Sequence, residues 1–330
     1  MRIAVLGAGA WGSALAISLS ARHQISLWSK DPDHAIEMDS QRINHSFLPG
    51  YSLPESLKIT SALNEALDAA DLALIVVPIV GLRETLRAIA ANKIKIPIIW
   101  GCKGFESETT HLPHQVVEAE YSAILPYCGV LSGPSFAEEV AKGLPTALTL
   151  ASKDIGFSSR MAAELHSPRL RIYTSQDVIG VETGGAVKNV ITIAAGISDG
   201  IGFGHNARAA LITRGLMEIT RLGLALGGSM KTFMGLAGVG DLILTSTGDL
   251  SRNRKVGLML AEGKSLNVIL SELGHVAEGV HTAQSVLRLG DQLKIEMPIT
   301  QAVCSILHDA VSARTAVEVL LNREQKTEIY

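Results

Sequence analysis

The most constraining feature of the chain is a glycine-rich segment near its start, which reads GAGAWG over residues 7–12 and follows an apolar run at residues 3–6. This order predicts a buried strand, a tight turn and then a helix. Gly7 permits the turn, Gly9 lets a pyrophosphate approach the backbone, and Gly12 lets helix and strand pack together. Because a helix N-terminus also offers free N–H groups and a positive dipole end, the segment predicts a dinucleotide site.

Composition excludes several other classes of protein. Hydrophobic residues make up 47% of 330 residues, enough for large cores, while a net charge of −3 and 4% aromatic residues argue against a nucleic-acid binder. Cys102, Cys128 and Cys304 are far apart and form no metal-binding pattern, which favours reduced thiols in the cytoplasm and no metal site. The longest strongly apolar run, residues 72–80, is too short for an integral membrane segment.

The first half of the chain alternates apolar runs with amphipathic stretches such as residues 82–89. The predicted strands are residues 3–6, 25–28, 71–78, 96–100 and 127–132, with edge strands at 146–151 and 170–173. These runs are rich in Val and Ile without strict alternation, as in a parallel sheet covered on both faces. We therefore expect an α/β domain with a doubly wound, mostly parallel Rossmann-type sheet.

The second half has helical periodicity and no convincing strand. The predicted helical stretches are residues 187–195, 207–226, 253–262, 281–289 and 300–307, with a glycine-rich segment at 196–204 after the first of them. We expect a dinucleotide-binding domain over residues 1–180 and an all-α substrate-binding and catalytic domain over residues 181–330.

Two polar segments follow predicted strands, where ligands bind in such sheets. Lys103, in a GCKG segment, is placed to meet a phosphate or a carbonyl, although a solvated loop lysine is an equal alternative. Ser135 precedes a predicted helix, and it suits an N-cap with Glu138 as its capping-box partner. That structural role does not exclude a ligand contact.

Lys188 lies among apolar residues in the predicted helix after Gly184 and Gly185. Burial lowers the pKa of a lysine, which suits acid/base work near neutral pH. The alternative is a structural ion pair between the domains, with Glu182 or Asp241 as the partner. We favour the working role, because the two glycines leave room for a ligand.

Two further segments are candidate parts of the site. Asp241, between glycine and apolar residues, can orient Lys188, accept a substrate hydroxyl or cap a helix. The segment SRNRK over residues 251–255 predicts a helix start, where Arg252 and Asn253 can bind a phosphate. Arg254 and Lys255 are expected to be solvated.

Seven segments occur in an order that resembles the bacterial NAD(P)-dependent glycerol-3-phosphate dehydrogenases. They are residues 7–12, 101–105, 132–139, 185–189, 195–200, 240–241 and 251–254. The resemblance implies interconversion of dihydroxyacetone phosphate and sn-glycerol 3-phosphate by hydride transfer with NAD(P)H, without a metal. It also implies a cytoplasmic enzyme that supplies glycerol 3-phosphate for phospholipid synthesis.

The resemblance assigns roles to residues. Lys188 becomes the acid/base that protonates the oxygen at C2, with Asp241 and Lys103 as the other catalytic residues. The implied substrate contacts are Lys103, Gly133, Ser135, Lys188, Asn189, Asp241, Ser251, Arg252 and Asn253. The implied cofactor contacts are Gly7, Gly9, Trp11, Gly12, Lys30, Lys103, Ala137, Arg252, Val276 and Glu278.

The choice of cofactor depends on the end of the second strand, where an acid favours NAD by binding the ribose 2′-hydroxyl. Here Ser29 and Lys30 come first and can receive a 2′-phosphate, which favours NADPH over NADH. Asp31, one step further, would reverse this preference if it turned toward the ribose.

Two other functions remain open from the sequence. A ketopantoate or β-hydroxyacid reductase would use Arg252 for a carboxylate, whereas an NAD(P)-sensing module would bind the nucleotide without turnover. The Lys188 and Asp241 pair argues against a sensing module. The long apolar helix predicted at residues 207–226 suits a homodimer contact.

Overall fold

The computed structural model describes residues 1–92, 94–122, 127–273, 277–309 and 311–324. Strands and helices alternate in its first half. The strands are β1 Arg2–Leu6, β2 Gln24–Trp28, β3 Ile43–Asn44, β4 Leu48–Ser52, β5 Lys58–Thr60, β6 Leu72–Ile75, β7 Ile98–Trp100, β8 Cys128–Ser132, β9 Thr146–Ala151 and β10 Leu170–Ser175. The helices are α1 Ala10–Ser20, α2 Pro32–Gln41, α3 Leu63–Leu67, α4 Ile79–Ala91, α5 Pro113–Glu120, α6 Ala137–Ala141 and α7 Ile155–Leu165.

Within the described residues the sheet has eight strands in the order β5-β2-β1-β6-β7-β8-β9-β10. Neighbouring strands are parallel except β8 and β9, which are antiparallel. The chain builds outward from β1 through β2 and then returns to β6 on the other side. A crevice for a ligand therefore lies beyond the carboxyl ends of β1 and β6, at this switch of direction.

The expected fold class is confirmed, and so are all the predicted strands, including the edge strands β9 and β10. Three short strands were missed. The β4 segment LPGYS contains Pro and Gly, and β5 has only three residues, so neither carries a strand pattern. Strands β3 and β4 form a separate antiparallel pair beside the main sheet.

The second half is helical, with no strand after β10 in the part that the structure describes. Its helices are α8 Val178–Ile201, α9 Gly204–Ala225, α10 Met230–Phe233, α11 Asp241–Thr247, α12 Arg252–Ala261, α13 Leu266–Leu273, α14 Glu278–Leu293, α15 Pro298–His308 and α16 Ala313–Leu321. A π-helical turn, Leu236–Gly240, leads directly into α11. The proposed domain boundary at residue 180 falls in the first turn of α8 and remains an interpretation.

Helix α8 is the core of the helical half. It packs against α9, α11, α12 and α14. By length and apolar composition it could cross a membrane, but 94% of its most apolar stretch is buried inside the protein. It is therefore a central packing helix of the fold.

The expectation that this helix spans residues 187–195 was wrong at both ends. It begins earlier because the Asp177 side chain caps it, accepting a hydrogen bond from the Gly180 amide at 2.8 Å. It also continues into the glycine-rich segment as far as Ile201, where Gly202 ends it in a left-handed conformation, and its glycines let neighbouring backbone approach. A Cβ atom on Gly196 would lie 2.2 Å from the Arg254 carbonyl oxygen, and one on Gly257 would lie 2.1 Å from that of Ile193.

We predict that Gly196→Ala destabilises the protein by about 1–3 kcal/mol, because the added methyl group must push α12 away from α8. Gly81→Ala is the matched control in helix α4, since its Cβ would lie 3.6 Å from the Val77 Cβ, an ordinary contact. The control should be neutral or slightly stabilising. Denaturant unfolding of both variants measures the difference, and equal stabilities would show that α8 and α12 do not depend on this close approach.

Candidate active site

The Asp241 carboxylate joins the two halves of the chain. Its Oδ2 accepts a hydrogen bond from Lys103 Nζ at 2.7 Å, and its Oδ1 accepts one from Lys188 Nζ. Lys103 follows β7 in the sheet half, whereas Lys188 lies on α8 and Asp241 begins α11. One buried anion therefore holds two ammonium groups at the carboxyl edge of the sheet.

The local structure explains this burial. Lys188 is 6% exposed and Asp241 1%. Gly184 brings α8 against the π-helical turn, because a Cβ there would lie 2.6 Å from the Ala237 carbonyl oxygen. Thr245, one helical turn after Asp241, accepts a hydrogen bond from Lys188 Nζ at 3.0 Å. Thr245 was missed from the sequence, although its spacing of four residues from Asp241 places it on the same helix face.

The burial changes the ionisation of both groups. The pKa of Lys188 is lowered to about 7. Loss of solvation is the main cause and the charge of Lys103 adds to it, whereas Asp241 opposes the shift. Burial alone would raise the pKa of Asp241, but the charges of Lys103 and Lys188 hold it below its ordinary value. Near neutral pH, Asp241 is therefore an anion and Lys188 exchanges a proton with ease.

Of the two ion-pair partners expected for Lys188, the structure shows Asp241, whereas Glu182 has other partners. The buried Glu182 carboxylate instead accepts hydrogen bonds from Trp100 Nε1 at 2.7 Å and from the His114 amide at 2.9 Å. Burial raises the pKa of Glu182, against the effect of His114. Glu182 thus connects α8 to the end of β7 and leaves Lys188 to Asp241.

Asn189, next to Lys188, begins a second network. Its Oδ1 accepts a hydrogen bond from Asn253 Nδ2 at 3.0 Å, and Asn253 Oδ1 accepts one from the Gly279 amide at 3.1 Å. Asn189 Nδ2 lies 3.5 Å from Glu278 Oε2. These contacts cross-link α8, α12 and the first turn of α14, and they leave one Nδ2 hydrogen of Asn253 for another acceptor.

The charges of three cations act on the Glu278 carboxyl group. Loss of solvation raises the pKa of this half-buried carboxyl group, whereas the charges of Lys103, Arg252 and Lys188 act to lower it. The three cations therefore share one electrostatic neighbourhood. Val276, the other predicted cofactor contact on this side, lies outside the described residues.

Helix α12 starts as the sequence predicts. Ser251 is its N-cap and accepts a hydrogen bond from the Arg254 amide at 3.2 Å, while Arg252 is exposed. Arg254 was expected to be solvated, and this was wrong: it is mostly buried and its Nη2 lies 2.7 Å from Asp199 Oδ2 on α8. Lys255 is exposed, as expected.

The loop after β8 begins beside Gly185 of α8. Gly133 has φ +139°, a backbone conformation that favours glycine. Ser135 does not cap a helix, because α6 begins at Ala137 and the Ser135 hydroxyl donates to the Gly133 carbonyl at 3.1 Å. Ser132, which the sequence did not single out, has a buried Oγ with no hydrogen-bond partner among the described residues. That atom lies 2.9 Å from where a Cβ of Gly185 would be.

The glycine-rich turn has the geometry that its spacing predicts. Gly7 has φ +119° and its amide donates to the Trp28 carbonyl at 3.0 Å. A Cβ on Gly12 would lie 1.9 Å from the Gly7 carbonyl oxygen, whereas one on Gly9 would meet nothing within 4 Å. Open space at Gly9 is what a pyrophosphate next to the backbone requires.

Asn44 supports this turn and was missed from the sequence. It is fully buried on the short strand β3, and its Nδ2 donates to the Ala8 carbonyl and to Ser13 Oγ, both at 2.8 Å. No local pattern links residue 44 to residue 8, so only the folded chain reveals the contact.

The residues at the end of β2 separate into two groups. Lys30 is exposed and its Nζ lies 2.8 Å from Glu84 Oε2, an exposed pair that contributes little to stability. Asp31 caps α2, accepting a hydrogen bond from the Asp33 amide at 3.0 Å.

Trp11 is half-buried, and its Nε1 lies 3.3 Å from where a Cβ of Gly101 would be. Trp11 therefore lies between the glycine-rich turn and the end of β7.

Comparison with known proteins finds relatives that match along the whole chain. A family model described as the N-terminus of NAD-dependent glycerol-3-phosphate dehydrogenase matches residues 2–158, and one described as its C-terminus matches residues 177–318. The glycerol-3-phosphate dehydrogenase (NAD(P)+) of Nitrosospira multiformis is 67% identical over 100% of both chains, and that of Nitrosomonas eutropha 60% over 99% of both. A crystal structure of glycerol-3-phosphate dehydrogenase from Coxiella burnetii has a TM-score of 0.93 and 43% identity, covering 98% of this chain and 99% of that one.

We predict that two substitutions in the glycine-rich turn affect different properties, one dinucleotide binding and the other thermal stability. Gly9→Ala should weaken dinucleotide binding at least about tenfold, because its methyl group enters the open space, but leave the melting temperature unchanged. Gly12→Ala should lower the melting temperature, since its methyl group collides with the turn itself. Fluorescence titration and thermal unfolding measure the two effects. Normal dinucleotide binding by Gly9→Ala would place the phosphates elsewhere.

Proposed function

The chain belongs to the NAD-dependent glycerol-3-phosphate dehydrogenase family, and on this premise we propose how its residues carry out the reaction. The protein is an oxidoreductase that interconverts dihydroxyacetone phosphate and sn-glycerol 3-phosphate with NAD(P)H, a reaction that supplies glycerol 3-phosphate for phospholipid synthesis. The observation that carries the proposal is the pair of ammonium groups held by Asp241 at the edge of the sheet.

Lys188 is the acid/base in the proposed mechanism. A bound reduced nicotinamide would supply hydride to C2 of the ketone, so negative charge would develop on the C2 oxygen. The Lys188 ammonium stabilises this charge and then donates its proton, which yields the alcohol, the oxidised nicotinamide and a neutral amine. Solvent returns the proton afterwards. A lysine with a pKa of about 7 can act in both directions near neutral pH.

Asp241 and Lys103 tune and orient this lysine. The Asp241 carboxylate fixes the position of Lys188 Nζ, while burial, aided by the charge of Lys103, keeps the pKa of Lys188 low. Lys103, less buried than Lys188, also lies beside substrate and cofactor in this proposal. Removing Asp241 would leave two cations together in a buried site, at a large electrostatic cost.

The substrate phosphate is assigned to the start of α12. Arg252 is exposed there, with free amides of the first helical turn and the remaining Nδ2 hydrogen of Asn253 beside it. Ser251 supports this turn as its cap, while Asn189 orients the substrate oxygens next to Lys188. Gly133 and Ser135 line the opposite side. Holding the remote phosphate fixes C2 against the nicotinamide.

The cofactor is assigned to the crevice beyond β1 and β6. Gly7, Gly9 and Gly12 receive the pyrophosphate, and the remaining contacts are Trp11, Lys30, Lys103, Ala137, Arg252, Glu278 and Val276. We propose NADPH as the preferred reductant. The Asp31 carboxylate is engaged in capping α2, while the Lys30 side chain is exposed and can turn from Glu84 toward a 2′-phosphate.

We also propose that the protein is a cytoplasmic homodimer. None of the residues in the first half of α9, residues 204–214, is buried within the chain, although the helix is long and partly apolar. We propose that a second copy of the chain packs against this face. Static light scattering measures the mass in solution, and the mass of a single chain at micromolar concentration would refute the dimer.

Two variants test the proposed division of roles. Lys188→Met should lower kcat for dihydroxyacetone phosphate reduction by at least about 100-fold with NADPH binding intact, because the proton donor is lost. The control is Lys153→Met, which replaces an exposed lysine paired with Glu118 and should leave kcat unchanged.

Arg252→Ala should instead raise the KM for dihydroxyacetone phosphate about 10–100-fold, with Lys255→Ala as its exposed control. A near-normal kcat for Lys188→Met would refute the role of Lys188, and an unchanged KM for Arg252→Ala would move the phosphate site.

The pH dependence follows from the lowered pKa of Lys188. Reduction needs the ammonium form, so kcat/KM for dihydroxyacetone phosphate should fall as pH rises through about 7. Oxidation of glycerol 3-phosphate needs the neutral amine, so its kcat/KM should rise over the same range. Lys103→Met should shift both profiles to higher pH, because Lys103 lowers the pKa of Lys188. Initial rates from pH 5.5 to 9.5 provide the measurement; parallel profiles in the two directions would contradict it.

A further inference from the structure

Three side chains beside the glycine-rich turn form a continuous hydrogen-bond chain that the mechanism does not use. Ser29 Oγ lies 3.1 Å from His34 Nδ1, and His34 Nε2 lies 3.0 Å from Asn44 Oδ1. Asn44 in turn donates to the Ala8 carbonyl in the turn. Ser29 immediately follows β2, where the ribose 2′ position of a dinucleotide lies in this fold.

The direction of the bond between His34 and Asn44 can be assigned. Asn44 Nδ2 faces the Ala8 carbonyl, which only accepts, and Asn44 Oδ1 faces the Phe47 amide at 3.1 Å, which only donates. A flipped amide would oppose acceptor to acceptor and donor to donor, so the orientation of Asn44 is unambiguous. Asn44 Oδ1 therefore accepts from His34, and His34 Nε2 carries a hydrogen.

This orientation determines what Ser29 can do. When His34 is neutral, its Nε2 holds the only ring hydrogen, so its Nδ1 is an acceptor. The Ser29 hydroxyl must then donate its hydrogen to Nδ1, and only its lone pairs remain for a ligand. When His34 is protonated, Nδ1 donates to Ser29 Oγ instead, which frees the Ser29 hydrogen for an acceptor.

We propose that His34 is a specificity-determining residue that selects between the two cofactors through Ser29. With neutral His34, the Ser29 oxygen accepts a hydrogen bond from a ribose 2′-hydroxyl, which suits NAD(H). With protonated His34, the Ser29 hydroxyl donates to a 2′-phosphate, which suits NADP(H). The inference rests on the proposed cofactor site, and it makes the preference for NADP(H) increase toward acidic pH.

Several charged groups lie on the elements next to His34. Lys30 and Asp31 lie at the end of β2, and the backbone amide of His34 itself points to the Asp31 carboxylate. Asp33 and Glu37 lie on α2, His45 lies between β3 and β4, and Lys58 lies on β5. The aromatic neighbour is Phe47, whose ring centroid lies 5.3 Å from that of His34. Any effect of these groups is shared by variants that retain His34.

The experiment measures dissociation constants of NAD+ and NADP+ at pH 8 and pH 6 by protein fluorescence. These oxidised forms are stable at acidic pH. In the parent, the ratio of the NAD+ constant to the NADP+ constant should rise about tenfold more between pH 8 and pH 6 than in His34→Phe. The 2′-phosphate of NADP+ also titrates, but it changes the ratio equally for both proteins. Comparison with His34→Phe therefore cancels this contribution.

Two further variants separate a hydroxyl effect from a charge effect. Ser29→Ala keeps His34 but lacks the hydroxyl. Its ratio of dissociation constants should therefore change between pH 8 and pH 6 only as much as that of His34→Phe. His45→Phe removes an exposed histidine on the neighbouring loop and should keep the larger change of the parent. If Ser29→Ala keeps the full change, the charge of His34 acts directly and the proposal is overturned.

The remaining outcomes distinguish this inference from the proposed cofactor site. If Gly9→Ala weakens both dinucleotides but the parent, His34→Phe and Ser29→Ala share one pH-dependent ratio, the cofactor site stands and the role of His34 is refuted. If neither Gly9→Ala nor Ser29→Ala changes the binding of either dinucleotide, the cofactor site is itself wrong. Melting temperatures check that His34→Phe remains folded.

Discussion

The buried carboxylate of Asp241 is the interaction on which the rest of the site depends. It is the point where a lysine from the sheet half and a lysine from the helical half meet, and its two oxygens are divided between them. An isolated cation at the position of Lys188 would be costly to bury, and an isolated anion at Asp241 equally so. The cluster is tolerated because each charge has a partner, and the residual desolvation leaves Lys188 with a pKa suited to proton transfer.

Glycines make this cluster sterically possible. Helix α8 crosses the π-helical turn at Gly184 and α12 at Gly196, and in both places a methyl group would collide with a neighbouring carbonyl oxygen. The same close packing brings Asn189 to Asn253 and so connects the neighbour of Lys188 to the start of α12. The glycines that weaken a helix in isolation therefore support a functional arrangement in the folded protein.

The two ends of the proposed cofactor crevice are built differently. At one end, the glycine-rich turn is a local structure, and its shape depends on residues close together in sequence. At the other end, Ser29, His34 and Asn44 come together through strands β2 and β3 and the N-terminal turns of α2. The buried Asn44 amide joins the two ends, because it contacts both the turn and His34.

Local patterns were enough to predict the α/β and all-α halves, the principal strands, the glycine-rich turn and the candidates Lys103, Lys188 and Asp241. They could not determine where α8 begins and ends, that Arg254 is paired with Asp199, or that Asn44 supports the turn. Helix limits at glycines depend on what packs against them, and contacts between residues far apart in the chain have no local signature. Which charges meet depends on the folded chain, because burial and distance set their partners and pKa values.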